Sequence, residues 1–298
     1  MYADEGTMST TMPNVSHARL ATEEIKEVVR DRYGECAEKG GGESCCCAGQ
    51  ATSSLSFAAE HGLYSEKELS LVPKTAFSLS RGCGNPTGFA NLRPGEVVVD
   101  LGCGAGIDVI LAAQKVGPSG KVVGADFAGQ MIERARQAVK EAGVEDTVEF
   151  VVTDLERLEL PDSLADVVMS NCVINLCPDK NAVYREAFRI LKAGGRLAIS
   201  DVIMTEKIDP QTQERFHSTW AGCLGGAIEE ERYFAIIKKT GFEELQIVAR
   251  HLLPPRELEQ MACCPGPDFT PALEKEDIAS VQGKVVSIKF RASKPRLR

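Results

Sequence analysis

The chain has 298 residues, of which 43% are hydrophobic, and its 34 basic and 43 acidic residues give a formal net charge of −9. An acidic balance argues against nucleic acid or an anionic membrane as the main partner. The sequence also lacks an apolar run near the roughly 20 residues of a membrane span and a basic-then-apolar secretory signal. We therefore expect a cytoplasmic, monomeric protein that acts on a small molecule.

The cysteine content is high, at 11 residues. In a chain without a secretory signal, metal binding and thiol chemistry explain such a content more often than disulfides do. Several of these cysteines therefore become candidates for a functional site, and others serve as small buried apolar residues.

The first part of the chain predicts a tail followed by a helix. Thr22 can cap a helix whose first turn carries Glu23 and Glu24, and residues 36–50 include the run GGGESCCCAG. We expect residues 1–74 to form a disordered tail plus a helical, cysteine-bearing lid.

A glycine-rich turn follows the first predicted strand. The run VVVDLGCGAG at 97–106 is apolar up to Asp100 and then places glycine at 102, 104 and 106. This spacing is GxGxG, whereas dinucleotide sites use GxGxxG with the pyrophosphate on a helix N-terminus. The turn therefore favours a ligand without phosphates, and S-adenosylmethionine is such a ligand.

Strand and helix patterns alternate from this turn onward. This alternation is typical of a doubly wound, Rossmann-like α/β sheet. We expect residues 75–205 to form this core and residues 206–298 to complete the sheet with an antiparallel C-terminal edge and an appended segment. The predicted strands are 97–100, 121–126, 147–152, 165–170, 195–201, 242–250 and 284–293, and the predicted helices of this region are 107–116, 129–142, 180–192, 209–220 and 230–240.

Ligands of open parallel sheets bind beyond the carboxyl ends of the strands. Asp126 ends the second strand and suits a ribose, Asp154 follows the third and suits an adenine amino group or a simple turn, and Asn171 ends the fourth beside the expected methyl position. The predicted cofactor-binding residues are Asp100, Gly102, Cys103, Gly104, Gly106, Asp126, Met131, Asp154, Leu155 and Asn171.

Three cysteine motifs resemble those of a known family. Over residues 75–205 the chain resembles the class I S-adenosylmethionine-dependent methyltransferases, and over most of its length it resembles the arsenite methyltransferases. The narrower resemblance depends on SRGCGNP at 80–86, SNCVINL at 170–176 and AGCLGGA at 221–227.

This resemblance implies the substrates and the site. It implies that Cys172 and Cys223 hold trivalent arsenic, supplied as arsenite or methylarsenite, and that Cys83 is a third ligand or a partner in disulfide exchange. It also implies an N-terminal cysteine that pairs with Cys83. Cys46 is the candidate, and the spacing does not choose between it and its neighbours Cys45 and Cys47. The doublet Cys263–Cys264 is assigned no role.

The chemistry agrees with these residue types. Trivalent arsenic is soft and prefers thiolates, and its lone pair is the nucleophile toward a sulfonium methyl group, so that positioning and water exclusion matter more than acid–base catalysis. Repeated turnover then requires electrons from an external thiol reductant of the thioredoxin or glutathione type. His17, His61, His217 and His251 are scattered without triad or ligand spacing.

Other functions remain open at this point. A methyltransferase for carbon or oxygen of a small organic acceptor explains the fold but not the cysteines, whereas a thiol protein that only binds a metalloid explains the cysteines but not the glycine turn. A zinc site lacks the usual CxxC spacing. A dinucleotide oxidoreductase is disfavoured by the glycine spacing.

Overall fold

The structure is a computed structural model that describes residues 22–39, 63–77, 79–80, 82–217, 224–262 and 275–296. The described strands are β1 (Val97–Leu101), β2 (Lys121–Asp126), β3 (Val148–Val152), β4 (Ala165–Asn171), β5 (Leu191–Met204), β6 (Glu243–Leu252) and β7 (Val285–Ser293). They form one sheet in the order β3-β2-β1-β4-β5-β7-β6.

The sheet is parallel except at one strand. The pairs formed among β1 to β5 are all parallel, and β7 runs antiparallel to both β5 and β6. The predicted doubly wound sheet with an antiparallel C-terminal edge is therefore confirmed. The order of the last two strands was not predicted. β7 lies inside the sheet, and β6 forms its edge.

Helices cover both faces of the sheet, and several of them precede its first strand in the chain. Those before the first strand are α1 (Thr22–Glu38), α2 (Glu66–Ser70), α3 (Lys74–Phe77) and α4 (Pro86–Phe89). Those after it are α5 (Ile107–Val116), α6 (Gly129–Glu141), α7 (Lys180–Ile190), α8 (Pro210–His217), α9 (Glu230–Thr240), α10 (Pro255–Ala262) and α11 (Lys275–Val281). Within these ranges, we find no helix with the length and apolar character that crossing a membrane requires.

The segment between β6 and β7 differs from the prediction. Its described parts contain α10 and α11, which are not among the helices predicted from the sequence. Leu258 of α10 and Val281 of α11 are fully buried in the same apolar cluster. Short helices of one or two turns carry too little periodicity to be recognised from sequence, and tertiary packing stabilises them.

The N-terminal helix α1 packs across the end of the sheet where the glycine turn lies. Its Ile25 and Val29 are buried, and the guanidinium of Arg134 on α6 donates a hydrogen bond of 2.8 Å to the carbonyl of Ala37. The apolar face of α1 is therefore the face that contacts the core.

Candidate functional site

A cleft opens at the carboxyl ends of the parallel strands, where the topology predicts a ligand. Its empty space, including the part open to solvent, is about 980 Å³. All ten residues predicted to bind a cofactor line it: Asp100, Gly102, Cys103, Gly104, Gly106, Asp126, Met131, Asp154, Leu155 and Asn171.

The glycine turn leaves the floor of this cleft free of side chains. Gly102, Gly104 and Gly106 all have positive φ angles, of 72°, 51° and 92°. A Cβ on Gly102 would come within 2.3 Å of the Val173 side chain, whereas a Cβ on Gly104 would meet no atom within 4 Å. The first glycine is therefore required by packing, and the second keeps space open for a ligand.

Three buried carboxyl groups surround this turn. Burial raises the pKa of Asp100 well above its usual range, and the neighbouring Asp108 and Asp126 raise it further. Burial likewise raises the pKa of Asp108 to about 6 and the pKa of Asp126. The Oδ1 atom of Asp100 is buried without a hydrogen-bond partner in the described part of the chain. Such a site favours a cationic ligand, which would compensate the buried negative charge.

Protein groups already fix two of the predicted acids. Asp126 accepts backbone hydrogen bonds from Gly104 at 2.9 Å and Ala128 at 3.0 Å, which orients its carboxylate at the cleft. Asp154 accepts from Lys26 Nζ at 2.8 Å, and Lys26 also lies 2.7 Å from Glu156. Lys26 thereby attaches α1 to the rim of the cleft.

The side-chain amide of Asn171 is hydrogen-bonded to neighbouring groups of the protein. Its Oδ1 accepts from the Gly84 N–H at 3.1 Å, and its Nδ2 donates to the Gly84 carbonyl at 2.8 Å, to Asp108 at 2.9 Å and to the Tyr64 hydroxyl at 3.1 Å. This arrangement positions the loop of residues 82–84, which carries Cys83, directly against the end of β4.

Two of the predicted arsenic ligands belong to one apolar cluster beside the cleft. Neither Cys83 nor Cys172 is in a disulfide, Cys172 lines the cleft, and Cys83 packs against the apolar cluster to which Cys172 belongs. Cys172 is buried and has a φ of 63°, a left-handed conformation that is uncommon for a residue with a side chain. Its N–H donates to the Ser200 carbonyl at 2.7 Å.

The remaining cysteines fall into separate groups. Burial raises the pKa values of Cys103 and Cys177, which favours their neutral thiol forms, and Cys36 is disulfide-bonded. Six other cysteines lie outside the described residues. They are the predicted site residues Cys46 and Cys223, the neighbours Cys45 and Cys47, and the doublet Cys263–Cys264.

Several residues of the site were missed in the sequence. Asp108 was treated only as part of a helix, and nothing in its local pattern separates a buried carboxyl group from an ordinary helical one. Lys26 and Tyr64 come from segments distant in sequence, and only the packing of those segments onto the cleft identifies them. The two glycines that flank Cys83 were the sequence signal for its close packing. A Cβ on Gly82 would clash with Asn171, and a Cβ on Gly84 would clash with Ser200.

The chain is similar both to a methyltransferase domain family and to individual arsenite methyltransferases. The profile of a methyltransferase domain family matches residues 92–243. An arsenite methyltransferase of Halobacterium salinarum is 37% identical over 82% of this chain and 64% of its own length, and the human arsenite methyltransferase is 34% identical over 52% of this chain and 44% of its own. The chain thus spans less than two thirds of these curated relatives.

The comparison with solved structures agrees. The crystal structure of an arsenic(III) S-adenosylmethionine methyltransferase from Chlamydomonas reinhardtii superposes with a TM-score of 0.63 at 29% identity, covering 77% of this chain and 73% of that one. The predicted class of fold is therefore confirmed, and the chain belongs to the methyltransferase domain family.

Proposed function

We propose that this protein transfers a methyl group from S-adenosylmethionine to trivalent arsenic, in arsenite or methylarsenite, held by cysteine thiolates. The observation that supports it most directly is the placement of two cysteines outside any disulfide, Cys83 and Cys172, beside a cleft whose acidic, glycine-lined floor suits a cationic cofactor. The relatives named above carry the same activity in their names.

The residues present fit this cofactor. S-adenosylmethionine supplies an electrophilic methyl group on a sulfonium centre, and its amino group adds a second positive charge. The buried carboxyl group of Asp100 has an oxygen without a partner among the described residues, which can accept from that amino group, and Gly104 leaves open the space that the cofactor needs. Asp126 and the apolar Met131 and Leu155 complete the cleft beside them.

The thiols hold the arsenic and leave its lone pair free. Arsenite binds with loss of water as each thiol proton leaves with an arsenic-bound hydroxyl group, and the product is a trigonal pyramid of sulfur ligands. We include in this set Cys172 and Cys223, the pair implied by the family resemblance, and Cys83 as the third ligand. The apolar cluster around Cys172 excludes water, and positioning therefore carries most of the catalytic burden.

Turnover needs electrons in addition to methyl groups. Each transfer places a methyl group on arsenic and leaves the carbon–sulfur bonding electrons on the cofactor sulfur, so that arsenic is formally oxidised by two electrons. We propose that a disulfide formed from Cys83 and an N-terminal cysteine, with Cys46 as the candidate, returns these electrons. An external thiol reductant would then regenerate both thiols.

The test is an assay with methyl-labelled S-adenosylmethionine, arsenite and a thiol reductant, with the arsenic species separated by chromatography. We expect labelled methylated arsenic from the wild type and none from Cys172→Ser. Cys177→Ser is the matched control, because that partly buried cysteine lines the same cleft but is not among the proposed ligands, and this variant should still methylate arsenite.

Three outcomes would contradict the proposal. Tight arsenite binding without methyl transfer would indicate a sequestering protein. Transfer only to a small organic acceptor would indicate a different methyltransferase. Full activity of Cys172→Ser would remove this cysteine from the site.

A further inference from the structure

Ser200 is a buried polar residue that contacts both described cysteines of the site. It lies on β5, is fully buried, and pairs with Asn171 of β4 in the parallel register. Its hydroxyl oxygen lies 3.6 Å from the sulfur of Cys83, within hydrogen-bond distance for sulfur, and its carbonyl accepts the N–H of Cys172 at 2.7 Å.

The loop that carries Cys83 is shaped to reach this hydroxyl group. A Cβ on Gly84 would lie 2.0 Å from Ser200 Oγ, so the backbone of the loop packs directly on the serine side chain. Asn171 holds the same loop through both backbone groups of Gly84, and Ser287 on β7 donates to the carbonyl of Cys83 at 2.9 Å. The sulfur of Cys83 is thus fixed beside Ser200 by contacts on either side of it.

We infer that Ser200 is a positioning residue for arsenic, whose hydroxyl group donates a hydrogen bond to the Cys83 sulfur while its carbonyl holds Cys172 in the left-handed conformation. This inference rests on the proposed function. A sulfur bound to arsenic has no proton and can only accept, so the serine must become the donor when the substrate binds. A hydrogen bond to a charged or strongly polarised sulfur is stronger than one between neutral groups.

The hydroxyl group and the carbonyl of Ser200 can be separated by mutation. Ser200→Ala removes the contact to sulfur and retains the backbone bond to Cys172. We expect the Kd for arsenite to rise about fivefold, as the loss of one net hydrogen bond implies. The KM for arsenite should rise by a similar factor, and the Kd for S-adenosylmethionine should stay within about twofold and serves as the check on folding.

A double-mutant cycle distinguishes this role from general packing. In a Cys83→Ala background, which lacks the sulfur, Ser200→Ala should cause no further loss of arsenite affinity. Ser170→Ala is the matched control. The hydroxyl group of Ser170 is also fully buried, but it donates to the carbonyl of Leu101 at 2.9 Å and not to residue 83, so whatever loss this variant causes should be the same in both backgrounds.

The possible results separate the two proposals. If the wild type binds arsenite and Ser200→Ala binds it equally well, the role of Ser200 is wrong and the proposed function stands. If Ser200→Ala weakens binding equally with and without the Cys83 sulfur, the serine acts only through packing and the inference fails. If the wild type binds no arsenite at all, the proposed function fails and this inference fails with it.

Discussion

Asp100 shows how one residue can indicate the charge of a ligand. Its carboxyl group is buried beside two further acids, and one of its oxygens has no partner in the part of the chain that the structure describes. Burying negative charge without compensation is costly, and proteins retain such groups mainly where they act. A cofactor that carries two positive charges would provide the compensation that the protein itself lacks.

The pH dependence of cofactor binding follows from this cluster. The pKa of Asp108 is raised to about 6, and the pKa values of Asp100 and Asp126 are also raised. A cationic ligand favours the ionised carboxylates, so binding must release protons at acidic pH. We expect the Kd for S-adenosylmethionine to be about five- to tenfold higher at pH 5 than at pH 7, measured by calorimetry in buffers of different ionisation enthalpy.

Two variants control this measurement. Asp100→Asn removes one of the titrating groups and should weaken binding and flatten its pH dependence. Glu149→Gln changes an exposed carboxylate paired with Lys121 at 2.7 Å and should retain the wild-type dependence. An equal Kd at pH 5 and pH 7 in the wild-type protein would contradict the role of the acidic cluster.

At the scale of elements, the turn between β1 and α5 and the helix α1 both line the cleft. The glycine positions of the turn were predicted from the local pattern, but the packing of Gly102 against Val173 was not, because it depends on a distant segment. The lid was predicted as a helix, but its attachment through Lys26 to Asp154 and Glu156 was not, since ion pairs between distant segments depend on tertiary packing.

Replacing Gly104 separates cofactor binding from stability. Gly104→Ala places a methyl group in the open space of the cleft and imposes a positive φ on alanine. We expect the stability to fall by about 1 kcal/mol and the Kd for S-adenosylmethionine to rise more than tenfold. Gly143→Ala is the matched control. It also has a positive φ and no neighbour within 4 Å of the new Cβ, but it does not line the cleft, so it should lose stability without losing affinity.

The attachment of α1 can be tested in the same way. Lys26→Ala removes both ion pairs at the rim, whereas Lys39→Ala removes an exposed pair with Glu35 at 3.2 Å near the end of the same helix. We expect S-adenosylmethionine to dissociate about three- to tenfold faster from the first variant, measured by stopped-flow, since a partly buried pair contributes more than an exposed one. Equal dissociation rates from both variants would show that α1 does not retain the cofactor.

At the scale of the whole molecule, the C-terminal region and the core share one sheet. Residues 206–298 were predicted to complete the sheet of the core, and β7 does so by pairing with β5 along its whole length, between β5 and β6. Strand and helix types were predictable because long periodic segments dominate them. The insertion of β7 was not, because strand order depends on long-range pairing. The arsenic ligands Cys172, Cys223 and Cys83 stay predictions from motif resemblance, because no spacing in the sequence indicates which thiols lie near one another.

A shared sheet predicts one unfolding transition. Ile288 of β7 is fully buried, and Ile288→Ala should lower the free energy of unfolding by about 2–5 kcal/mol. The transition should remain single in calorimetry. Ile247→Ala on β6, at a side chain that is 38% exposed, should change the stability far less. Two separate transitions would show that residues 206–298 unfold independently of the core.

The position of β7 also constrains how the chain acquires its structure during synthesis. Both strands that flank it are made earlier, so β5 and β6 expose unpaired backbone edges until residues 285–293 emerge from the ribosome. Ser287, which holds the backbone of Cys83, arrives at the same late moment. The complete sheet and the ordered loop around Cys83 therefore form at the same time. An incomplete chain would expose cysteine thiols and unpaired strand edges to chaperones and proteases.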